Sequence, residues 1–213
     1  MIREGQMSFP SGELNLEGEW HLPQGQGPFP AVVVCHPHPL YGGSMNNNVV
    51  YSVCLALTET NIAALRFNFR GVEGSQGSYD SGEGEADDIA AALSYIGSQP
   101  GVDPAHLGLC GYSFGAGVAL RTATGNAELK ALALVSLPLQ GLEEDAIKGF
   151  TGPKLLVSGD ADLFSHGGEL EGLLREMLGV AEWESVSGAD HFWGGYEGVL
   201  SSRIARFFSQ HLL

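Results

Sequence analysis

The sequence predicts an α/β protein built on a doubly wound, mostly parallel sheet with helices on both faces. The first observation is a series of short, almost continuous apolar runs, which are typical of strands buried on both faces. The second is that helix-like segments separate these runs, and such alternation predicts right-handed crossovers within one sheet. The third is the N-terminal region, residues 1–29, which breaks this pattern and predicts a two-stranded hairpin at one edge of the sheet.

The predicted strands and helices follow one another from residue 30 onward. Apolar runs predict buried strands at 30–37, 62–69, 106–113, 130–138 and 153–160. The run at 181–188 (AEWESVSG) alternates apolar and polar residues, so it predicts a strand nearer the edge. Apolar residues at intervals of three or four predict helices at 46–60, 84–97, 114–125, 142–149, 166–178 and 196–211. No internal repeat or linker interrupts the series, so we expect a single domain over residues 1–213.

Composition limits the possible functions. The net charge is -15, with 10 Lys and Arg against 25 Asp and Glu, which disfavours nucleic acid and anionic membrane surfaces as partners. No apolar stretch approaches the roughly 20 residues of a membrane span, and the N-terminus has no signal-like apolar segment. We therefore expect a cytoplasmic protein. The three cysteines show no CxxC spacing, and each lies in an apolar run, so buried free thiols are expected.

A serine between two glycines follows the strand predicted at 106–113. Gly111-Tyr112-Ser113-Phe114-Gly115 has the G-x-S-x-G pattern, with a predicted strand before it and a predicted helix after it. This context is that of a nucleophile elbow, in which a strained turn holds the serine hydroxyl above the sheet. The alternative is a glycine-rich turn that only packs strand against helix. The presence or absence of a base and an acid elsewhere in the chain decides between the two interpretations.

A catalytic serine needs a base, and the base needs an orienting acid. His191 follows the last predicted strand directly and is the expected base; His21, His106, His166 and His211 are expected to be structural. Asp160 and Asp162 both follow the strand at 153–160, and spacing alone favours Asp162 only slightly. Asp190 is adjacent to His191, so it is a poor orienting group. The chain order is serine, aspartate, histidine, which accompanies this type of elbow.

The G-x-S-x-G elbow, the acid, the base and their order along the chain together resemble the α/β-hydrolase superfamily. The resemblance covers essentially the whole chain. GDAD, residues 159–162, is similar to the acid turn of that superfamily, and the resemblance implies Asp162 as the acid. Residues 36–47 (HPHPLYGGSMNN) and 66–88 resemble small, compact bacterial hydrolases near the dienelactone-hydrolase-like group. Those lactone hydrolases carry cysteine at the nucleophile position, so Ser113 does not imply their substrate. Residues 139–152 leave room for one short helix, so no large cap domain is expected.

The resemblance also implies two backbone donors for a developing oxyanion. One is the amide after the nucleophile, that of Phe114. The second should come from the loop after the strand at 30–37, where Pro37 and Pro39 have no N–H. Alignment of this loop with superfamily members that carry a histidine-glycine pair selects the amide of His38, with that of Leu40 as the alternative.

The remaining expectations concern the pocket and possible metals. Leu40, Tyr41, Phe192 and Trp193 are candidates for lining an apolar acyl pocket, although a packing role is open for each. His36 and His38 alone cannot complete a zinc site, which needs three or four ligands, so no metal or cofactor is expected. Tyr79 and Asp80 receive no role, and Arg70 is expected to tie its loop down through carboxylates.

The function that these residues predict is hydrolysis of carboxylic esters or thioesters through an acyl-enzyme. A small-molecule ester or thioester is then the expected partner, and oligomeric state is left open. Two alternatives remain at this point: an acyltransferase that uses the same residues, and a non-catalytic binding protein that kept the fold.

Overall fold

The computed structural model describes residues 3–138, 149–165 and 181–213. Their strands form a single eight-stranded sheet. The strands are β1 (Arg3–Ser11), β2 (Leu14–Leu22), β3 (Phe29–Cys35), β4 (Ala63–Phe67), β5 (Val102–Tyr112), β6 (Leu129–Val135), β7 (Lys154–Gly159) and β8 (Ala181–Val186). The helices of the described residues are α1 (Asn48–Glu59), α2 (Glu83–Gly97), α3 (Phe114–Ala123) and α4 (Glu197–Leu212), with a short 3-10 turn at Pro39–Tyr41.

The sheet order confirms the predicted fold class. The order is β1-β2-β4-β3-β5-β6-β7-β8, and every pairing from β4 to β8 is parallel. The hairpin of β1 and β2 joins the sheet antiparallel through β4, at the edge where the sequence predicts it. The strand predicted near an edge, β8, is the other edge strand. The helices predicted at 166–178 and over nearly all of 142–149 lie outside the described residues.

Each strand contributes side chains to two separate cores because successive residues point to opposite faces. In β3, Val33 and Cys35 belong to the core that α2 and α3 cover. Val32 and Val34 belong to the other core, beneath α1 and α4. This double coverage explains why the strand sequences are apolar throughout rather than alternating. Within the described residues no large cap domain covers the sheet, and no helix is long and apolar enough to cross a membrane.

The sheet topology determines where a ligand can bind. The chain winds from β3 outward to β4 in one direction and from β5 outward to β8 in the other, so the order reverses between β3 and β5. Open α/β sheets bind ligands beyond the carboxyl ends of the strands at such a reversal. His38, Ser113, Asp162 and His191 all lie in segments that follow the carboxyl ends of strands. The fold therefore gathers them at one end of the sheet.

A buried ion pair fixes the loop after β4 to α2. The Arg70 guanidinium contacts Asp88, with Nη2 and Oδ1 separated by 2.8 Å, and the Asp88 side chain has no exposed area. The Ser11 hydroxyl donates to the same carboxylate at 2.8 Å, and the Arg70 amide donates at 3.0 Å. The prediction that Arg70 ties its loop down through a carboxylate is confirmed.

The packing of α2 generates a stability prediction. Ile89 is fully buried in the core beneath α2 and α3. We expect Ile89→Ala to lower the free energy of unfolding by about 2–5 kcal/mol, because a cavity replaces the deleted methyl groups. Ser94→Ala on the exposed face of the same helix is the control and should change stability by less than about 0.5 kcal/mol. Urea denaturation measures both, and equal losses would contradict the assigned packing.

Candidate active site

Ser113 occupies a strained turn between β5 and α3. Its backbone angles are φ 55° and ψ -119°, a conformation that is uncommon for a residue with a Cβ. The two flanking glycines have a steric reason. A Cβ at Gly111 would collide with the carbonyl group of Gly115, and a Cβ at Gly115 would lie 2.5 Å from the carbonyl oxygen of His36. The G-x-S-x-G pattern therefore reflects close backbone packing on both sides of the serine.

His191 lies between Ser113 and Asp162. Its Nε2 is 3.0 Å from Ser113 Oγ, and its Nδ1 is 2.9 Å from Asp162 Oδ2. Because an ionised carboxylate only accepts hydrogen bonds, Nδ1 carries the proton and Nε2 is the nitrogen that can accept from the serine. The Asp162 side chain is fully buried, and that of His191 is 12% exposed. The three predicted residues thus form one continuous hydrogen-bonded chain that ends at the serine.

The Asp162 carboxylate is held in its ionised form by its donors. Burial alone would raise its pKa, but the hydrogen bond from His191, the nearby hydroxyls of Ser165 and Ser136 and the proximity of His191 lower the pKa well below the usual range. Backbone amides contribute to this environment, since Phe164 N donates to Oδ1 at 2.9 Å and Ser165 N at 3.2 Å. A buried negative charge with these donors can orient an imidazole and stabilise its protonated form.

The other two aspartates near the histidine have different partners. Asp160 accepts a hydrogen bond from the Gly188 amide at 2.7 Å, which ties the loop after β7 to the loop after β8. Asp190 accepts from the Phe192 amide at 2.9 Å and stabilises the turn that follows His191. Of the two carboxylates that spacing alone left open, the structure therefore brings Asp162, and not Asp160, to His191.

Trp193 does not line the cleft, contrary to the sequence-based expectation. Its side chain is fully buried in the core beneath α1 and α4, and its indole N–H donates to Ser136 Oγ at 3.0 Å. The physical reason is the backbone: Trp193 has a φ of 62°, in a turn two residues after His191. Ser136 is also fully buried, has a φ of 48°, and lowers the pKa of Asp162 through its hydroxyl. Trp193 thus supports the acid indirectly.

Tyr112 holds the loop that carries His191 in place. Its hydroxyl donates to the backbone carbonyl of His191 at 2.6 Å, and burial, together with the charges of Asp162 and Asp190, raises its pKa. The phenol therefore stays protonated and remains a donor. Tyr112, the residue before Ser113, thereby positions the segment that carries His191.

The loop after β3 brings His38 to the same cleft but directs Leu40 away from it. Leu40 is 67% exposed and is not among the residues that line the cleft, so its predicted pocket role is wrong. The Leu40 amide donates to His38 Nδ1 at 3.2 Å and is thus already engaged. Burial lowers the pKa of His38, which favours a neutral ring with its proton on Nε2, 3.3 Å from the Tyr79 hydroxyl oxygen.

His36 has a structural position beneath this loop. It is fully buried, its Nδ1 donates to the Pro37 carbonyl at 2.6 Å, and its Nε2 accepts from the Phe69 amide at 3.0 Å. Burial lowers its pKa to about 4, so the ring is neutral. Both ring nitrogens are engaged in hydrogen bonds. Among the described residues no group of three or more His, Cys, Asp or Glu side chains is arranged to hold a metal ion.

A cleft of about 900 Å³ opens in front of Ser113 and His191. The predicted residues His38, Tyr41, Phe114 and Phe192 line it. Sequence reasoning missed several further lining residues, namely Tyr79, Tyr112, Phe164 and Arg121. Tyr79 and Phe164 are loop residues with no pattern that marks them. Arg121 could have been found, because it lies seven residues after Phe114, on the same face of the helix that follows Ser113.

Known relatives match this chain over most of its length. An uncharacterized protein of Rickettsia prowazekii is 32% identical over 172 residues, which cover 77% of this chain and 72% of that protein. An uncharacterized protein of Mycobacterium tuberculosis is 30% identical over 68% of this chain. The matched part of that second relative is only 57% of its length.

Solved structures share the fold closely. An α/β serine hydrolase homologue from Coxiella burnetii superimposes with a TM-score of 0.86 at 32% identity, over 95% of this chain and 96% of its own. XC6422 from Xanthomonas campestris, described as a serine hydrolase without a lid, superimposes with a TM-score of 0.85 at 30% identity. The match covers 96% of this chain and 93% of that one. A dienelactone hydrolase from Anabaena variabilis superimposes with a TM-score of 0.83 at 20% identity, over 100% of this chain and 99% of that one. This likeness shows the fold alone.

The position of Ser136 generates a prediction. Ser136→Ala removes the hydroxyl that lies near both Trp193 and Asp162, so we expect kcat/KM for hydrolysis to fall about tenfold. Ser158→Ala is the matched control: Ser158 is also buried, and its hydroxyl has no hydrogen-bond partner among the described residues. Steady-state kinetics of both variants measure the effect. A loss of the same size in Ser158→Ala would show that any buried serine truncation perturbs the site.

The family assignment follows from a match to more than half of the chain. Residues 77–191 match the model of the dienelactone hydrolase family, a range that includes Ser113, Asp162 and His191. This confirms the resemblance inferred from the sequence motifs, and the relatives and structures above agree with it. The family and its serine-hydrolase neighbours support hydrolase activity. The chain belongs to the dienelactone hydrolase family of α/β hydrolases.

Proposed function

We propose that the protein is a serine hydrolase that cleaves carboxylic esters or thioesters through an acyl-enzyme. The observation that carries this proposal is the continuous hydrogen-bonded chain from Asp162 through His191 to Ser113 Oγ, at a cleft that no large cap covers in the described residues. The resemblance implies a cysteine nucleophile for the lactone-cleaving enzymes, and this chain has Ser113 at that position, so the lactone is not adopted as the substrate.

The geometry supports a two-step acyl transfer. Ser113 Oγ attacks the substrate carbonyl carbon while His191 Nε2 takes the hydroxyl proton, and the carboxylate of Asp162 stabilises the imidazolium that forms. The imidazolium then protonates the leaving alcohol or thiol, and the acyl group remains on Ser113. In the second step His191 removes a proton from water, which attacks the acyl carbon. The bond between the acyl carbon and Ser113 Oγ then breaks, the imidazolium returns the proton to Oγ, and the carboxylic acid leaves.

Two backbone amides are available for the oxyanion in this proposal. The amide of Phe114 lies in the first turn of α3, where helical N–H groups have no acceptor within the helix. The second is that of His38, in the Pro37–His38 peptide, whose carbonyl group is held because it accepts from His36 Nδ1 at 2.6 Å. Fixed donors of this kind stabilise the developing charge without reorganisation.

The strained serine favours catalysis over simple binding. With a φ of 55° and a ψ of -119°, Ser113 lies outside the left-handed helical region, and such strain costs about 1–3 kcal/mol and persists only where the surrounding structure imposes it. A binding protein on this fold would have no need to keep that strain together with an aligned histidine and a buried aspartate. An acyltransferase would use the same three residues, and product analysis with added alcohols or amines distinguishes it from a hydrolase.

A cytoplasmic location stays a prediction.

The nucleophile assignment is tested by Ser113→Ala. We expect kcat for p-nitrophenyl acetate or butyrate to fall by about 10⁴-fold or more, since the residual rate would come from the oxyanion donors and binding alone. Ser202→Ala, an exposed serine on α4 far from the cleft, should leave the rate unchanged. Full activity in Ser113→Ala would refute the proposed function.

The second oxyanion donor is tested by a pair of variants at His38. The residue has a φ of -57°, which proline also adopts, so His38→Pro removes the amide hydrogen without imposing a new φ. His38→Ala removes the ring and keeps the amide. We expect kcat of His38→Pro to lie about 10²-fold or more below that of His38→Ala. Equal kcat values in the two variants would show that the second oxyanion donor is not the amide of His38.

A further inference from the structure

A second groove, of about 620 Å³, lies beside the cleft, between the loop after β3 and the loop after β4. The residues that line it lie within 39–44 and 71–79, and we call it the side groove. The hydrogen-bonded chain from Asp162 to Ser113 includes none of these residues. The proposed reaction therefore leaves the side groove without a role.

The side groove is continuous with the cleft that contains Ser113. Gly42, Gly43 and Tyr79 line both cavities. The centroid of the Tyr79 ring is 5.8 Å from that of Phe114, the residue directly after Ser113. Because two of the three shared residues are glycines, the boundary on their side is bare backbone. An extended substrate can therefore pass from the cleft into the side groove without leaving the protein surface.

Local contacts hold both walls of the side groove. A Cβ at Gly71, which has a φ of 76°, would lie 2.8 Å from Ser78 Cα, so the glycine lets the two ends of its loop pack together. On the opposite wall the Gly43 amide donates to the His38 carbonyl at 3.0 Å. The Tyr79 hydroxyl oxygen lies 3.3 Å from His38 Nε2 and joins the two loops. A groove that is already ordered loses less free energy when a ligand binds.

The lining of the side groove favours an uncharged, apolar ligand. Pro39, Leu40 and Val72 contribute apolar surface, and Tyr79 contributes a ring. Among the described residues that line the groove, Glu73 is the only charged one, and it is negative, as is the whole chain at -15. An anionic ligand is therefore disfavoured. Leu40 does not reach the cleft and is 67% exposed, so an apolar ligand in the groove would remove apolar area from water.

The part of the substrate that enters the side groove follows from the position of His191. In the proposed reaction His191 protonates the leaving atom, so the leaving group must remain beside this imidazole. The rings of Tyr112, Phe164 and Phe192 pack against His191, and none of these three residues lines the side groove. The side groove thus lies away from the leaving group, on the side that is left to the acyl chain.

We propose that the side groove binds the far end of an unbranched apolar acyl chain, so that the preferred substrate is an ester or thioester of a medium- or long-chain fatty acid. The inference rests on the proposed function and adds the substrate class. Each methylene group that leaves water on binding increases affinity roughly fourfold. An acyl chain too short to reach the side groove gains nothing from it, so the groove acts on the preference for chain length.

The test compares p-nitrophenyl decanoate with p-nitrophenyl butyrate, which share a leaving group and differ in acyl length. The readout is the ratio of kcat/KM for decanoate to that for butyrate, with both esters kept monomeric in solution. Ser78→Trp is the test variant, because Ser78 is exposed and lines the side groove but not the cleft. We expect the indole to fill the groove and to lower the ratio by about tenfold or more, through the loss of at least two methylene contacts. The rate with butyrate should stay unchanged.

Two controls and a second test variant accompany Ser78→Trp. Ser78→Ala removes the same hydroxyl and leaves the groove open, so it should keep the wild-type ratio. Ser202→Trp adds an indole on the exposed face of α4, outside both cavities, and should also keep the ratio. Leu40→Glu places a charge in the groove at an exposed position and should lower the ratio. Thermal denaturation shows whether each variant is folded.

The outcomes separate this inference from the proposed function. If wild-type protein hydrolyses the butyrate ester in a Ser113-dependent way, but neither Ser78→Trp nor Leu40→Glu changes the ratio more than Ser202→Trp does, the acyl-chain site is refuted and the hydrolase proposal stands. An effect seen only when decyl butyrate is compared with ethyl butyrate would overturn the acyl assignment. If neither p-nitrophenyl ester shows Ser113-dependent hydrolysis and a fluorophosphonate does not label Ser113, both proposals fail.

Discussion

The close packing of backbone around Ser113 is the constraint on which the rest of the site depends. Gly111 and Gly115 let β3, β5 and the start of α3 approach so closely that the serine between them is held at a φ of 55°. The packed sheet and helix impose this strain, since the residue alone would avoid it. Placed this way, the hydroxyl projects beyond the sheet and the first amides of α3 point toward the same space. The proposed nucleophile and the first proposed oxyanion donor, the Phe114 amide, thus come from one turn.

The buried charge of Asp162 is the second requirement, and three segments contribute to it. Backbone amides of its own turn, the hydroxyl of Ser136 after β6 and the imidazole of His191 after β8 all stabilise the carboxylate. Such a charge would be costly in the interior without these donors. Trp193 connects the segments by donating to Ser136. The acid, its supports and the base are therefore one packed unit that depends on the order of β6, β7 and β8.

Much of this arrangement was predictable from the sequence, because it follows from local patterns. Apolar runs and helical spacing predict the strands and helices of a doubly wound α/β sheet, and the elbow and His191 follow from their places after strands. Asp162 needed the resemblance of GDAD to a family acid turn, since spacing alone left Asp160 open. Trp193 and Leu40 could not be placed correctly. An apolar residue beside a catalytic loop faces the cleft or the core according to one backbone angle, which the residue types do not determine.

The residues that sequence reasoning missed depend on packing between distant elements. Tyr79 reaches the cleft because its loop, which Arg70 and Asp88 anchor, lies beside the loop that carries His38. Arg121 reaches it because α3 packs against α2, with Gly82 leaving room for the guanidinium. These positions follow from tertiary contacts rather than from a local motif.

The central claim is that packing and hydrogen bonding activate Ser113. It is tested most directly by exposing the folded protein to a fluorophosphonate, measuring its intact mass and mapping the modified peptide. The account predicts one adduct, on Ser113, which forms much more slowly in Asp162→Asn because the histidine then loses its orienting charge. No adduct on folded wild-type protein, or an adduct at another serine, would contradict it.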